Sequence, residues 1–264
     1  MNTFFLDRLN SEPHALAFAG QSTPWPVALA DQSANPALDE ALHTHAAAAQ
    51  ALLYPVSAEL LATTGRPVDL FGFEPNPARL GAAAAASASV PGIALTQLGA
   101  LLDAAALGYN PAQAKPVAVL GHSQGVLAVH MVQAICEAGS IDAAAAKIDE
   151  ILAIATLIGV AGTRQARQLG LAARHGEATP MLSVKDITRA QVDALIERVD
   201  GARGPIAVAV TNSATHYVLS GYPEDLAAFG VEVAKEHKRQ AKLREEKVRG
   251  GRVFDPTLEY LDVT

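Results

Sequence analysis

An uncharged run, Pro116-Val117-Ala118-Val119-Leu120, leads into Gly121-His122-Ser123-Gln124-Gly125, after which Val126, Val129, Val132 and Ile135 recur at every third position. A continuous apolar run bounded by proline and glycine predicts a strand buried on both faces of a parallel sheet. The spacing that follows predicts an amphipathic helix ending near Gly139. A chain that passes from such a strand to such a helix within one pentapeptide has to turn sharply. A serine with glycines two positions before and two after it is the pattern that thrusts a nucleophile out of that turn. The glycines are required because the turn strains the serine and brings the helix against the strand, leaving no room for side chains there. Ser123 is therefore the candidate nucleophile. The backbone N–H of Gln124 falls at the start of the helix, where unpaired donors and the helix dipole favour an oxyanion.

The chain has 264 residues, which at about 150 per domain predicts one large or two unequal folded units. Half of the residues are apolar and 18% are charged, which excludes a disordered chain. A net charge of −7 argues against a general nucleic-acid surface and leaves small molecules or proteins as partners. The single cysteine, Cys136, precludes an internal disulfide and a cysteine zinc site, and it fits a reducing cytoplasm. No His, Asp or Glu pair falls at ligand spacing, so no metal site is expected. Asp7, Arg8 and Glu12 interrupt the place of a signal peptide. Residues 82 to 107 are too broken by Ser87, Ser89, Pro91, Gln97 and Asp103 to be expected to span a membrane.

Residues 14 to 18 read as a short buried strand running into Gly20-Gln21-Ser22, a loop small enough for backbone amides to approach a ligand. Its Gln21 amide is the candidate second oxyanion donor. Helical runs over 34 to 64 are broken at Pro36 and Pro55, 67 to 77 is irregular, 92 to 107 reads as a core helix, and 142 to 162 as an alanine-rich helix. Pro180 opens a different rhythm. Strands are predicted over 181–184, 206–210 and 216–219 and helices over 189–199 and 223–236, an order that fits a small ferredoxin-like α+β layer. Between Lys235 and Arg252 stand eight Lys or Arg against three Glu. A solvated helix face accounts for them, and electrostatic help for a phosphate-bearing substrate such as coenzyme A is the sharper reading.

A serine hydroxyl near neutral pH needs a base. Of eight histidines, His122 is expected to pack beneath or beside the turn. His14, His43, His45, His130, His175 and His237 read as solvent-facing or capping, and His216 on the 206–219 hairpin is the one internal candidate for a base. Ser123 with Asp193 or Asp200 and His216 would make a stand-alone serine hydrolase, a thioesterase or esterase with water as acceptor.

Five segments, Ala17-Phe18-Ala19-Gly20-Gln21, Val90-Pro91-Gly92-Ile93-Ala94-Leu95-Thr96-Gln97, Gly121 to Val129, Leu157-Ile158-Gly159-Val160-Ala161-Gly162-Thr163 and Lys247-Val248-Arg249-Gly250-Gly251, stand in an order that resembles the acyltransferase domain of type I fatty acid synthases, specifically the acetyl-loading transferase of bacterial and fungal multienzymes. The resemblance implies an α/β fold: a hydrolase-like core with a parallel sheet over 1–178, a ferredoxin-like subdomain over 179–238, and a segment over 239–264 returning to the core. It implies that the serine takes an acyl group from a coenzyme A thioester and passes it to the phosphopantetheine thiol of an acyl carrier protein, beside the other domains of a multienzyme and with no permanently bound cofactor. Carried onto this chain, Ser123 is the nucleophile, the amides of Gln21 and Gln124 form the oxyanion hole, Asn212 positions, and His122 borders the substrate. Ile158 falls where malonyl-selective relatives carry an arginine. An apolar side chain cannot pair a carboxylate, which favours acetyl over malonyl. Arg164 and Arg167 are the residues that would supply a malonyl reading. The family's histidine follows a stretch resembling residues 253 to 263, and this sequence ends at Thr264. The expectation is a chain lacking its general base, with impaired turnover and residual serine acylation.

Overall fold

Residues 3–20, 25–53, 69–72, 86–168, 179–199, 203–246 and 254–261 are described by the computed structural model, and the chain divides into two units, Met1–Gln165 and Ala166–Thr264. The first holds α1 (Thr3–Ser11), β1 (Ala15–Phe18), α2 (Trp25–Ser33), α3 (Pro36–Leu53), α4 (Ala86–Ala106), α5 (Pro111–Ala114), β2 (Ala118–Gly121), a 3-10 turn (Ser123–Gly125), α6 (Val126–Ala138) and most of α7 (Ile141–Gln168). β1 and β2 pair in parallel, with Ala15 opposite Ala118 and Phe18 opposite Gly121.

The core forms round α4, which is buried without interruption from Ser87 to Gly99. By length and composition α4 could cross a membrane, but 72% of its apolar window is buried inside the protein, the state of a helix apolar on every side. Gly92 lies on Trp25 so closely that a methyl there would come within 2.5 Å of the indole carbons. The helix starts at Ala86, ahead of the start expected at residue 92, and takes Pro91 into its second turn. A proline this near the N-terminus removes one helical hydrogen bond, and packing on all sides outweighs it. β2 departs from expectation: Leu120 is 60% exposed and Val117, at its entry, 72%. With β1 as its one partner among the described residues, β2 keeps an open edge and is not enclosed as a strand of a larger parallel sheet would be.

The second unit holds β3 (Met181–Lys185), α8 (Arg189–Ile196), β4 (Ala207–Ser213), β5 (His216–Ser220), α9 (Pro223–Glu246) and β6 (Thr257–Tyr260). Its sheet is antiparallel in the order β4-β5-β3-β6. Alternation explains the layer: Leu182, Val184, Tyr217 and Leu219 pack with Val192, Leu195, Leu226 and Phe229 from the helices. Thr188 caps α8 in a reciprocal box with Gln191. Two expectations change here. Residues 257–260, expected in a segment returning to the first unit's core, form β6 instead, because Leu258 and Tyr260 alternate onto the same face and sit opposite Val184 and Leu182. The last helix runs to Glu246, past the expected end at residue 236, and Glu232–Lys235 and Glu236–Arg239 pairs brace it across that point. The residues of the basic stretch after Glu246 lie outside the described residues up to Phe254.

Glu236 on α9 is 7% exposed. It accepts hydrogen bonds from Arg239 at 2.6 and 3.0 Å, Gln240 at 2.9 Å and Arg198 at 2.9 Å. The Arg239 bond first, then those of Gln240 and Arg198, hold its carboxyl at about 2, below the ordinary 4.5, against the opposing effect of burial. A lowered carboxyl pKa stabilises the fold above the unfolded value and ceases to as pH falls through the folded one. Glu236→Gln is therefore expected to cost about 1–2 kcal/mol at pH 7, a figure reduced for the solvent reaching both arginines. The deficit should shrink as pH drops from 4.5 toward 2. Urea midpoints at pH 7 and pH 3 check this, and an equal deficit at both would show that the charge plays no part.

Candidate active site

Ser123 has φ +53°, the left-handed region, which costs a non-glycine residue about 1–2 kcal/mol. Its neighbours show why the chain accepts this. A methyl on Gly121 would lie 2.5 Å from the Gly125 carbonyl carbon and 2.6 Å from the Val126 nitrogen. One on Gly125 would overlap the Phe18 carbonyl oxygen and reach 2.9 Å from that of Ala19. Both glycines are thus fixed by backbone contact, as the sequence pattern implied. His122 N donates to Phe18 O at 3.0 Å and Gly125 N to His122 O at 2.9 Å, tying the turn to β1. Ser123 emerges exposed at the end of β2, with α6 starting at Val126.

β1 and β2 are parallel neighbours, so the loop leaving β1 opens on the same side as the turn leaving β2, the side where open parallel sheets bind ligands. Gly20 in that loop is buried, and a methyl on it would come 2.7 Å from Ser123 Cβ, 2.8 Å from His122 O and 3.3 Å from Ser123 Oγ. Gln21, the candidate second donor, lies outside the described residues. The Ala19 carbonyl just before Gly20 accepts a hydrogen bond from Gln97 Nε2 of α4 at 2.5 Å. Gln97 closes the Val90–Gln97 motif, to which the sequence alone attaches no role for this side chain. The available signal was a carboxamide among Ile93, Leu95 and Leu98 on a core helix. Gln97 Oε1 and Gln124 Oε1 are both buried and have no hydrogen-bond partner among the described residues.

Ser123, Gln124, His122 and the Gly20 loop come together in the first unit. His122 is exposed, so of the two expected places, beneath or beside the turn, the first is excluded; its backbone N–H joins β1. Ile158 lies on α7 and is 53% exposed, beside Leu157 at 54% and Ile154 at 44%. The next residue, Gly159, presses on the Ala86 carbonyl oxygen at the start of α4. Arg164 is exposed on the same helix, and the side chain of Arg167 lies outside the described residues. Asn212 and His216 belong to the second unit. There Asn212 Nδ2 is 3.3 Å from His216 Nε2, which is also 3.1 Å from Ser183 Oγ. The imidazole weighed as a base for Ser123 is thus engaged by a buried hydroxyl on β3. Asp193 pairs with Arg189 at 2.8 Å, and Asp200 lies outside the described residues. Among the described residues, no three His, Cys, Asp or Glu side chains are grouped to hold a metal ion.

Residues 180–260 match the family described as the fatty acid synthase central AT domain. The fatty acid synthase beta subunit hexB of Dothistroma septosporum is 30% identical over 128 residues, covering 44% of this chain and 7% of that protein. Among solved structures, the malonyl CoA-acyl carrier protein transacylase of Coxiella burnetii superposes with a TM-score of 0.49 at 19% identity, over 85% of this chain and 58% of that one. The corresponding protein of Clostridium perfringens gives 0.49 at 18% identity, over 96% and 61%. This chain therefore spans less than two thirds of the length of each of these proteins. The likeness to fatty acid synthase acyltransferase domains expected from the motifs is present in the family match and in the fungal relative.

Proposed function

We propose, for a chain whose residues 180–260 match the fatty acid synthase central AT domain family, that it moves an acetyl starter group from coenzyme A to an acyl carrier protein through an ester on Ser123. The observation that carries this reading is the exposed Ser123 held at φ +53° with the Gly20 loop in contact with it. Ser123 Oγ attacks the thioester carbonyl, the C–S bond breaks as the ester forms, and the serine proton ends on the departing sulfur, so that coenzyme A leaves as its thiol. The phosphopantetheine thiol then attacks the ester, a new C–S bond replaces the C–O bond, and the thiol proton returns to Ser123 Oγ. The negative oxygen formed in each half is met by the backbone amides of Gln21 and Gln124, the latter at the start of a helix. No resident cofactor takes part. Ile158 presents no charge to a malonyl carboxylate, Asn212 positions, and His122 borders the substrate. We read the first unit as a hydrolase-like core and the second as a ferredoxin-like subdomain; the β-α-β-β-α-β order of β3 to β6 supports the latter. The carrier protein and the remaining domains of a synthase are the partners this reading requires, in the cytoplasm.

The test is single-turnover mass spectrometry with acetyl-CoA or malonyl-CoA, followed by addition of carrier protein bearing phosphopantetheine. Acetyl ester on Ser123, formed faster than malonyl ester and discharged onto the carrier thiol, is the expected result. Faster malonylation would overturn the assignment of Ile158. Acetate released at a rate indifferent to carrier would make the protein a hydrolase.

A further inference from the structure

Gln97 is 8% exposed on a helix that also carries the buried Ile93, Ala94, Leu98 and Leu101, and among the described residues it makes one side-chain hydrogen bond, Nε2 to the Ala19 carbonyl oxygen at 2.5 Å, while its buried Oε1 has no partner there. Burying an amide with one end unsatisfied is unfavourable, so the bond it does make calls for a reason. That bond falls on the peptide joining Ala19 to Gly20. A peptide unit is planar, so holding its carbonyl oxygen sets the direction of the Gly20 N–H and the place of the Gly20 α-carbon. Gly20 is the residue in contact with Ser123, and the next amide along the chain is that of Gln21. A loop beginning with glycine has wide backbone freedom of its own. The fixed reference comes from α4, locked into the core through Gly92 on Trp25.

We propose that Gln97 is a positioning residue: its carboxamide clamps the Ala19–Gly20 peptide and thereby holds Gly20, the residue preceding the Gln21 amide, against the Ser123 elbow. It acts through the loop and does not touch substrate. The proposal rests on the reading of Ser123 as the acyl-accepting nucleophile.

The experiment compares wild type, Gln97→Glu and Gln97→Leu in the rate at which a fluorophosphonate probe labels Ser123. That probe places a phosphoryl oxygen where the oxyanion forms and needs no coenzyme A site. Single-turnover acylation by acetyl-CoA is followed in parallel, with folding checked by circular dichroism. Glutamate keeps the size of glutamine, but as a carboxylate it has no proton to donate and repels the Ala19 carbonyl; protonated, it donates again. At pH 8 both variants are expected to label roughly 10- to 100-fold more slowly, since a misplaced oxyanion donor costs on that order. The acetyl-CoA concentration giving half the maximal rate should barely move. On acidification to pH 5, Gln97→Glu should regain rate relative to wild type while Gln97→Leu does not. Labelling of either folded variant within twofold of wild type at pH 8, or no relative recovery of Gln97→Glu, overturns the clamp. Should Gln97→Glu fail to fold, Gln97→Leu, which carries no charge, decides alone. Wild type labelled by the probe but acylated by neither acetyl-CoA nor malonyl-CoA would sink the acyl-transfer reading while the labelling rates still judge Gln97. No labelling of wild-type Ser123 would sink both.

Discussion

Replacing Ser123 by alanine is expected to remove covalent acylation altogether, a loss of at least about a thousandfold in ester formation, because the nucleophilic oxygen is deleted while the fold is not. Alanine carries the same β-carbon and bears the same left-handed backbone at φ +53°, so the urea midpoint should stay near that of wild type. Ser123→Gly separates chemistry from strain. It should be equally inert yet more stable by about 1 kcal/mol, since glycine adopts this conformation without penalty. Mass spectrometry after exposure to acyl-CoA, together with denaturation curves, reads both effects. Ester persisting on either variant would place the acyl group on another residue and end the case for Ser123.

The second large effect is expected from Gly20→Ala. The added methyl would come 2.7 Å from Ser123 Cβ and 2.8 Å from His122 O, the latter a backbone atom in a turn already tied to β1, so neither side can yield cheaply. The loop has to retreat from the serine, and the donor it carries retreats with it. A shift of about 1 Å in such a donor costs on the order of a hundredfold. Serine labelling by fluorophosphonate should fall by about that factor, with overpacking costing about 1–3 kcal/mol of stability. A variant that labels at the wild-type rate would mean that the close approach of Gly20 has no bearing on reactivity at Ser123.

These expectations could be framed from the sequence because the turn at Ser123 is governed by local sterics. Gly121 and Gly125 are needed for reasons that involve the backbone of their own pentapeptide and of β1, and period-three spacing after Gly125 already marks α6. The antiparallel layer after Pro180 was legible for a similar reason, since alternation at Leu182 and Val184 names the buried face directly. What escaped depends on partners remote in sequence. The exposure of Leu120 follows from how many strands flank β2, which its own residues do not encode. Pro91 is a breaker by local rule, overruled by packing of α4. β6 was hidden because its strand pattern occupies only Thr257–Tyr260 and gains meaning only against β3. Gln97 was hidden because its partner, the Ala19 carbonyl, is a main-chain atom that any residue would supply.

The close fit of Gly92 on Trp25 has an optical use. This tryptophan is the only one in the chain, it is 3% exposed, and it rests on the helix that carries Gln97. Its fluorescence therefore comes from one place and from no other, giving an intrinsic gauge of that helix. Watching the emission while the serine is esterified reports, with no dye attached, whether the support behind the reactive loop shifts or holds still during chemistry.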